Sequence, residues 1–327
     1  MQYPKFLDNN STIGIVAMSS GVGNRIDDYE KSISTFTDIG YKIDETDSVR
    51  NIGIASNTGE VRGNEFNSLI NDNNIDMIIN AAGGDWCLES IPYIDFNNIV
   101  NNKKWIMGAS DPTSILYILT TGYDIATIYG FNSTSFDDRP LHLCQKNALE
   151  ILKGNIIKQH SFDKFESNPF INDERVLDAQ VKWNSLNGDF KVNGRIIGGC
   201  IDVLRNLLGT PYDFTNKFIE KYKDDGIIWY FDNFALSVED FYLTLLQMQM
   251  CGWFKYTKAV VLGRVCFPKS FNECFEYSDA LEKIFKDIPL VTDACIGHIF
   301  PKMVIINGSY ATIEVTEERG TINLELK

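Results

Sequence analysis

The sequence predicts an α/β protein of two domains, the first built on a parallel sheet. Three observations carry this reading. Short apolar runs alternate with polar, helix-patterned stretches through the first third of the chain, and such alternation builds parallel sheets covered on both faces. Tight turns follow the third and fourth apolar runs, at Gly83-Gly84 and at Gly108-Ala109-Ser110-Asp111-Pro112. At 327 residues the chain is also longer than a single core usually serves, since cores stop growing at about 250–300 residues.

The elements follow in order. Residues 12–17 read as a buried strand, 27–39 as a helix, 41–44 as a second strand and 59–72 as a second helix. Residues 76–81 form a third strand that runs into Gly83-Gly84. Residues 105–107 form a fourth, followed at once by the serine turn and an apolar helix over 113–119. In a parallel sheet the ligand crevice lies beyond the strand C-termini, so both turns fall on the functional edge. Residues 131–190 are rich in Asn, Asp, Ser and Lys with poor periodicity, and read as a connection. Strand and helix patterns resume with 195–200, a helix through 208, a strand over 226–231 ending at Asp232, an amphipathic helix over 238–251, and a strand over 259–263. The expected division is a first domain over 1–165, a connecting region over 166–190 and a second domain over 191–327.

Composition narrows the partners. Forty-four acidic against 30 basic residues leave a net charge of −14. That disfavours nucleic acid and anionic membrane, which need a basic face. No leader peptide and no apolar run of about 18–20 residues is seen, so a membrane span is not expected. The seven cysteines, odd in number and widely spaced without a C-x-x-C, fit neither a disulfide framework nor a zinc site. Buried free thiols and a cytoplasmic location are expected.

The chemistry concentrates in a few residues. A serine on a sharp turn between strand and helix is a nucleophile elbow: the turn lifts Oγ clear of the sheet, and the next N–H, that of Asp111, together with the helix dipole faces the same point. The usual final glycine is Pro112 here, and the same pentapeptide would also serve as a plain helix cap. A serine nucleophile needs a base. The chain has three histidines, His142 and His160 in the polar stretch and His298 in a glycine-flanked loop. Asp232, at a strand end, is the best candidate to orient His298, although it could instead cap a turn. Gly83-Gly84 could supply an oxyanion donor, bind a phosphate, or simply turn. Gly21 and Gly23 lack the third glycine of a dinucleotide fingerprint, and no paired His and carboxylate cluster is present. Neither a nucleotide cofactor nor a metal is therefore expected.

Together these residues resemble the LD-carboxypeptidase and microcin-immunity serine peptidases over nearly the whole chain. The resemblance rests on Gly83-Gly84 followed by Pro92-Tyr93-Ile94-Asp95, the elbow Gly108 to Thr113, Gly198-Gly199 before a helix ending at Leu208-Gly209-Thr210-Pro211-Tyr212, and Gly297-His298. Asp85-Trp86 and Cys200-Ile201-Asp202 lie closer to the microcin-immunity branch. The resemblance implies a flavodoxin-like N-terminal domain with a smaller C-terminal α/β domain, a homodimer, and a Ser110–Asp232–His298 triad. It places the oxyanion hole at the N–H groups of Gly84 and Asp111. The family's acid is usually a glutamate, and that position falls on Asp232. The implied reaction is amide hydrolysis through an acyl-enzyme, without a cofactor. The implied substrate is a murein peptide or an aminoacyl-nucleotide conjugate, with Trp86 or Trp183 stacking on a base. A binding protein that kept the cleft without turnover is the alternative.

Overall fold

The computed structural model describes residues 1–170, 175–272 and 274–327. The chain divides into two compact units, Met1–Ile156 and Ile157–Lys327. The first carries β1 (Thr12–Val16), α1 (Ile26–Asp38), β2 (Lys42–Glu45), α2 (Gly59–Asn71), β3 (Met77–Asn80), α3 (Cys87–Ser90), α4 (Phe96–Asn101), β4 (Trp105–Gly108), α5 (Thr113–Tyr123), β5 (Thr127–Tyr129) and α6 (Leu143–Leu152). Its strands lie in the order β5-β4-β3-β1-β2, with every pairing among them parallel. This is the flavodoxin-like order, whose topological switch point falls between β1 and β3. The chain leaves β1 at Ala17–Ser20 and β3 at Ala81–Gly84, so those two segments meet where a doubly wound sheet places its ligand crevice.

Burial explains why these segments are strands. All four residues of β3 and all four of β4 are buried, as expected for strands covered on both faces. Each fully buried Ile or Met side chain contributes about 1.5–3 kcal/mol by leaving water. The following α5 is hidden along almost its entire length, so the serine turn is held from behind by core on both sides.

The second unit carries β6 (Gln159–His160), β7 (Lys164–Phe165), β8 (Ala179–Gln180), β9 (Asn184–Ser185), β10 (Phe190–Cys200), α7 (Ile201–Leu204), α8 (Thr215–Lys221), β11 (Ile227–Asp232), α9 (Val238–Met250), β12 (Thr257–Gly263), α10 (Tyr277–Ile284), β13 (Leu290–Ala294), β14 (Ile305–Asn307), β15 (Tyr310–Thr316) and β16 (Arg319–Glu325). Eight of these strands form one mixed sheet in the order β6-β16-β15-β10-β11-β12-β13-β9. The run β10 to β13 is parallel, and β15 and β16 extend it antiparallel. Helix α9 shows how local chemistry sets the elements. The Ser237 hydroxyl accepts the Asp240 N–H at 3.1 Å, and Glu239 and Asp240 stand in the first turn, where the dipole favours them. Val238, Phe241, Thr244, Leu245 and Met248 bury one stripe at helical spacing. Gly252, at φ +83°, takes the left-handed turn that ends it.

The polar stretch after residue 130 differs from a bare connection. Cys144, Ala148, Leu149, Ile151 and Leu152 bury one face of α6 in the first unit. The described residues of 157–190 fold with the second unit and add β6 and β9 to its sheet, and that unit, Ile157–Lys327, is the longer of the two. Runs of only two residues per strand leave no periodicity to read. Among the cysteines, Cys251 and Cys274 are exposed rather than buried, and all seven are free thiols. Among the described residues no helix is long and apolar enough to cross a membrane.

Candidate active site

Ser110 sits between β4 and α5 with φ +67°. A β-carbon in the left-handed region is strained, and the surroundings hold it there. The Asn132 side chain takes the Ala109 N–H at 2.9 Å and returns a bond to the Ala109 carbonyl at 3.2 Å. The Tyr129 hydroxyl accepts the Ser110 N–H at 3.3 Å. Gly108 lets the elbow close, since a β-carbon there would lie 2.8 Å from Pro112 Cβ. Pro112 stands at the N-cap of α5 in helical conformation, φ −51°, and enters the helix without spending an N–H.

The glycine turn after β3 faces the same serine. A β-carbon on Gly83 would lie 2.9 Å from Ser110 Cβ and 3.0 Å from its Oγ. Gly84 has φ +138°, and a β-carbon there would strike the hydroxyls of Ser19 and Ser20 at 2.4 Å. Glycine is required at both positions. Among the described residues neither the Gly84 N–H nor the Asp111 N–H makes a hydrogen bond. Two unspent donors beside a strained serine can receive a developing oxyanion.

The Asp111 side chain is a different matter: the sequence offers it as a helix cap at most, and α5 has no side-chain cap hydrogen bond. Its carboxylate is buried, and one oxygen, Oδ2, accepts both the Ser19 hydroxyl and the Cys87 N–H, the latter at 2.6 Å. Burial first, then the nearby Asp85 charge, push this carboxyl up to about 6, against the pull of its hydrogen bonds. The folded state thus holds the Asp111 proton more tightly than the unfolded chain does. The Asp111 contribution to stability is full below about pH 4 and is lost as pH rises through about 6, about 3 kcal/mol in all. Asp111→Asn is expected to abolish that decline and to be about 2–3 kcal/mol more stable than wild type at pH 8. Urea unfolding at pH 4 and pH 8 checks this.

In the second unit, β11 delivers Asp232 at its C-terminal end, in register with Cys200 of β10 and fully buried. His298 Nδ1 lies 2.9 Å from Asp232 Oδ1 and 2.8 Å from Oδ2. A carboxylate can only accept, so Nδ1 carries the proton and Nε2 is left as a base. The side chain of His298 is 12% exposed. The short reach of aspartate is met by the backbone. The His298 N–H also donates to Asp232 Oδ1 at 3.3 Å, and Gly297 takes φ +102°. A β-carbon at 297 would lie 2.2 Å from Asp232 Oδ1, so only glycine brings the loop this close.

Two residues outside the sequence reading hold this pair. The Phe234 ring lies 4.6 Å from the imidazole. Asp202 accepts the Phe234 and Ala235 N–H groups at 2.9 and 3.0 Å, which fixes the loop after β11. The sequence presents Asp202 only as part of the Cys200-Ile201-Asp202 motif. The other histidines have structural places: His142 caps α6, and His160 pairs with Thr321 in the sheet.

The two tryptophans part company. Trp86 is half-buried beside the glycine turn. Trp183 is fully buried. Its ring covers Gly320, where a β-carbon would lie 2.0 Å from Cε3, and its N–H donates to Cys295 Sγ at 3.4 Å. The stacking role expected of Trp183 is corrected to a core role, because neither face is open to a ligand.

Two family profiles match the chain, one described as the LD-carboxypeptidase N-terminal domain over residues 13–130 and one as the LD-carboxypeptidase C-terminal domain over 193–313. The chain belongs to the LD-carboxypeptidase family of peptidases. Among its relatives is the microcin C7 self-immunity protein MccF of Escherichia coli, 23% identical over 288 residues, which span 82% of this chain and 79% of that protein. A solved structure of MccF matches with a TM-score of 0.83 at 20% identity, over 99% of this chain and 98% of that one. Another holds MccF with aspartyl sulfamoyl adenosine. A Bacillus subtilis protein named as a probable murein peptide carboxypeptidase is 21% identical over 331 residues, 98% of this chain and 93% of its own length.

Proposed function

We propose that this protein is a serine hydrolase that cuts an amide bond through an acyl-enzyme. The observation that carries the reading is Ser110, held at φ +67° beside two unspent backbone donors. The Asp232–His298 pair supplies the base. Ser110 Oγ attacks the amide carbonyl carbon while its proton passes to His298 Nε2. The N–H groups of Gly84 and Asp111 hold the oxyanion. Collapse breaks the C–N bond, and the proton on Nε2 moves to the leaving nitrogen. Water then attacks the acyl carbon, giving its proton to Nε2, and Ser110 recovers its own as the acid departs. Throughout, Asp232 keeps the Nδ1 proton in place.

The family argues for a substrate with a peptide or aminoacyl amide. The MccF complex supports an aminoacyl-nucleotide conjugate, and the B. subtilis relative supports a murein peptide. Trp86, half-buried next to the oxyanion turn, favours the conjugate, since an aromatic face there can stack on a base. The test is hydrolysis of an LD-linked murein tetrapeptide set against aspartyl sulfamoyl adenosine, followed by mass spectrometry. Faster turnover of the conjugate, lost with Trp86→Ala mainly through KM, is the expected result. Folded protein that binds either compound without cleaving it would mark a binding protein instead.

A further inference from the structure

Asp111 raises a question that the reaction leaves open. A carboxylate buried this deeply is costly unless it has work to do, yet the proposed mechanism uses only its backbone N–H. Its partners define the work. Oδ2 accepts the Ser19 hydroxyl, from the segment that leaves β1. The same oxygen accepts the Cys87 N–H at 2.6 Å, from the start of α3. Ser19 Oγ in turn accepts the Trp86 N–H at 3.1 Å. Gly84 lies in van der Waals contact with this cluster, because a β-carbon on it would meet Ser19 Oγ at 2.4 Å. The Ser20 N–H donates to the Gly83 carbonyl at 3.1 Å, closing the loop from the other side. Three segments that are far apart in sequence, 19–20, 83–87 and the serine elbow, are thus tied through one carboxylate oxygen.

We infer that the Asp111 side chain, acting with Ser19, is the positioning residue of the oxyanion hole: it clamps the 83–87 turn onto the elbow so that the Gly84 N–H and the Asp111 N–H point at one place beside Ser110. A neutral core residue would bury more cheaply but would leave the Cys87 N–H unpaired and the turn untied. Other charged or titratable groups around the clamp have their own partners or lie outside it. Arg62 donates to the Met18 and Trp86 carbonyls at 2.6 and 2.7 Å and to Glu89 at 2.9 Å. Asp85 is exposed. The Cys87 thiol is held neutral, its titration pushed up by burial and by Asp111 itself.

The inference rests on the serine hydrolase reading, and the experiment separates the two. Steady-state kinetics and melting curves are measured for wild type, Asp111→Ala, Asp111→Asn, Ser19→Ala, the Ser19→Ala/Asp111→Ala double variant and Ser110→Ala. Loss of oxyanion geometry lowers kcat by about 10²–10³-fold, so Asp111→Ala is expected to fall in that range with KM changed less than about 3-fold. Asparagine keeps an oxygen that accepts from both Ser19 and Cys87, so Asp111→Asn should recover kcat to within about 10-fold of wild type. The double variant should be no worse than Asp111→Ala, because the two side chains act as one clamp. At pH 8 the melting temperature of Asp111→Asn should rise, and Asp111→Ala should stay folded at the assay temperature, so the kinetic losses are not those of unfolding. A kcat of Asp111→Ala within about 3-fold of wild type, a loss carried by KM, or no rescue by asparagine in folded protein would overturn the clamp. Undiminished hydrolysis by Ser110→Ala would overturn the underlying reading instead.

Discussion

Replacing Ser110 by alanine is expected to lower kcat by about 10⁴–10⁶-fold while leaving KM within a few-fold, and His298→Ala is expected to do nearly the same. The reason lies in what each group supplies. Without Oγ there is no covalent intermediate, and hydrolysis falls back on the oxyanion donors and a water. Without the imidazole, the hydroxyl keeps its proton at neutral pH and Oγ is a poor nucleophile. In the proposed mechanism the proton leaves Ser110 for His298, so neither group is worth much alone. The Ser110→Ala/His298→Ala double variant should therefore cost no more than either single change, and stopped-assay kinetics on all three variants checks it. Additive losses would mean that serine and histidine contribute to separate steps.

The second large effect concerns the acid. Asp232→Asn is expected to cost about 10⁴-fold in kcat, since an amide in that position can donate to Nδ1 and turn the imidazole to the tautomer that cannot accept from serine. Asp232→Glu is expected to cost about 10²-fold, the scale of an ångström's misplacement, even though the resemblance implies a glutamate at this position. The Gly297 backbone already stands so close that a β-carbon there would lie 2.2 Å from Asp232 Oδ1. The carboxylate is fully buried, so an added methylene has nowhere to go without moving the loop that carries His298. Measuring kcat and KM for both variants distinguishes a loop fitted to aspartate from a site indifferent to acid length. Wild-type rates for Asp232→Glu would show the latter.

Much of this architecture was legible in the residues, for reasons of period and punctuation. The buried strands 77–80 and 105–108 read as apolar runs bounded by glycine turns. The elbow was legible because strand, serine, proline and apolar helix follow without a gap. His298 stood out through the scarcity of histidine and the glycine before it. The segment 157–190 was not legible, because strands as short as Gln159–His160 and Asn184–Ser185 are selected by the edges they pair with rather than by their own pattern. Trp183 was misread for a related reason: a tryptophan among polar residues resembles a surface aromatic until Gly320 and Cys295, both more than a hundred positions away, are brought beneath it. The Asp111 carboxylate escaped notice because its partners, Ser19 and Cys87, lie after two other strands. Only the 2-1-3-4-5 strand order brings those ends together.

The central claim is that Ser110 is a nucleophile made reactive by His298. Treating the protein with a fluorophosphonate and mapping the adduct by peptide mass spectrometry tests it most directly. One adduct, on Ser110, forming at least about 10²-fold more slowly in His298→Ala, is the predicted result. A folded wild-type protein that takes no label, or a Ser110 that reacts equally fast without the imidazole, would contradict it.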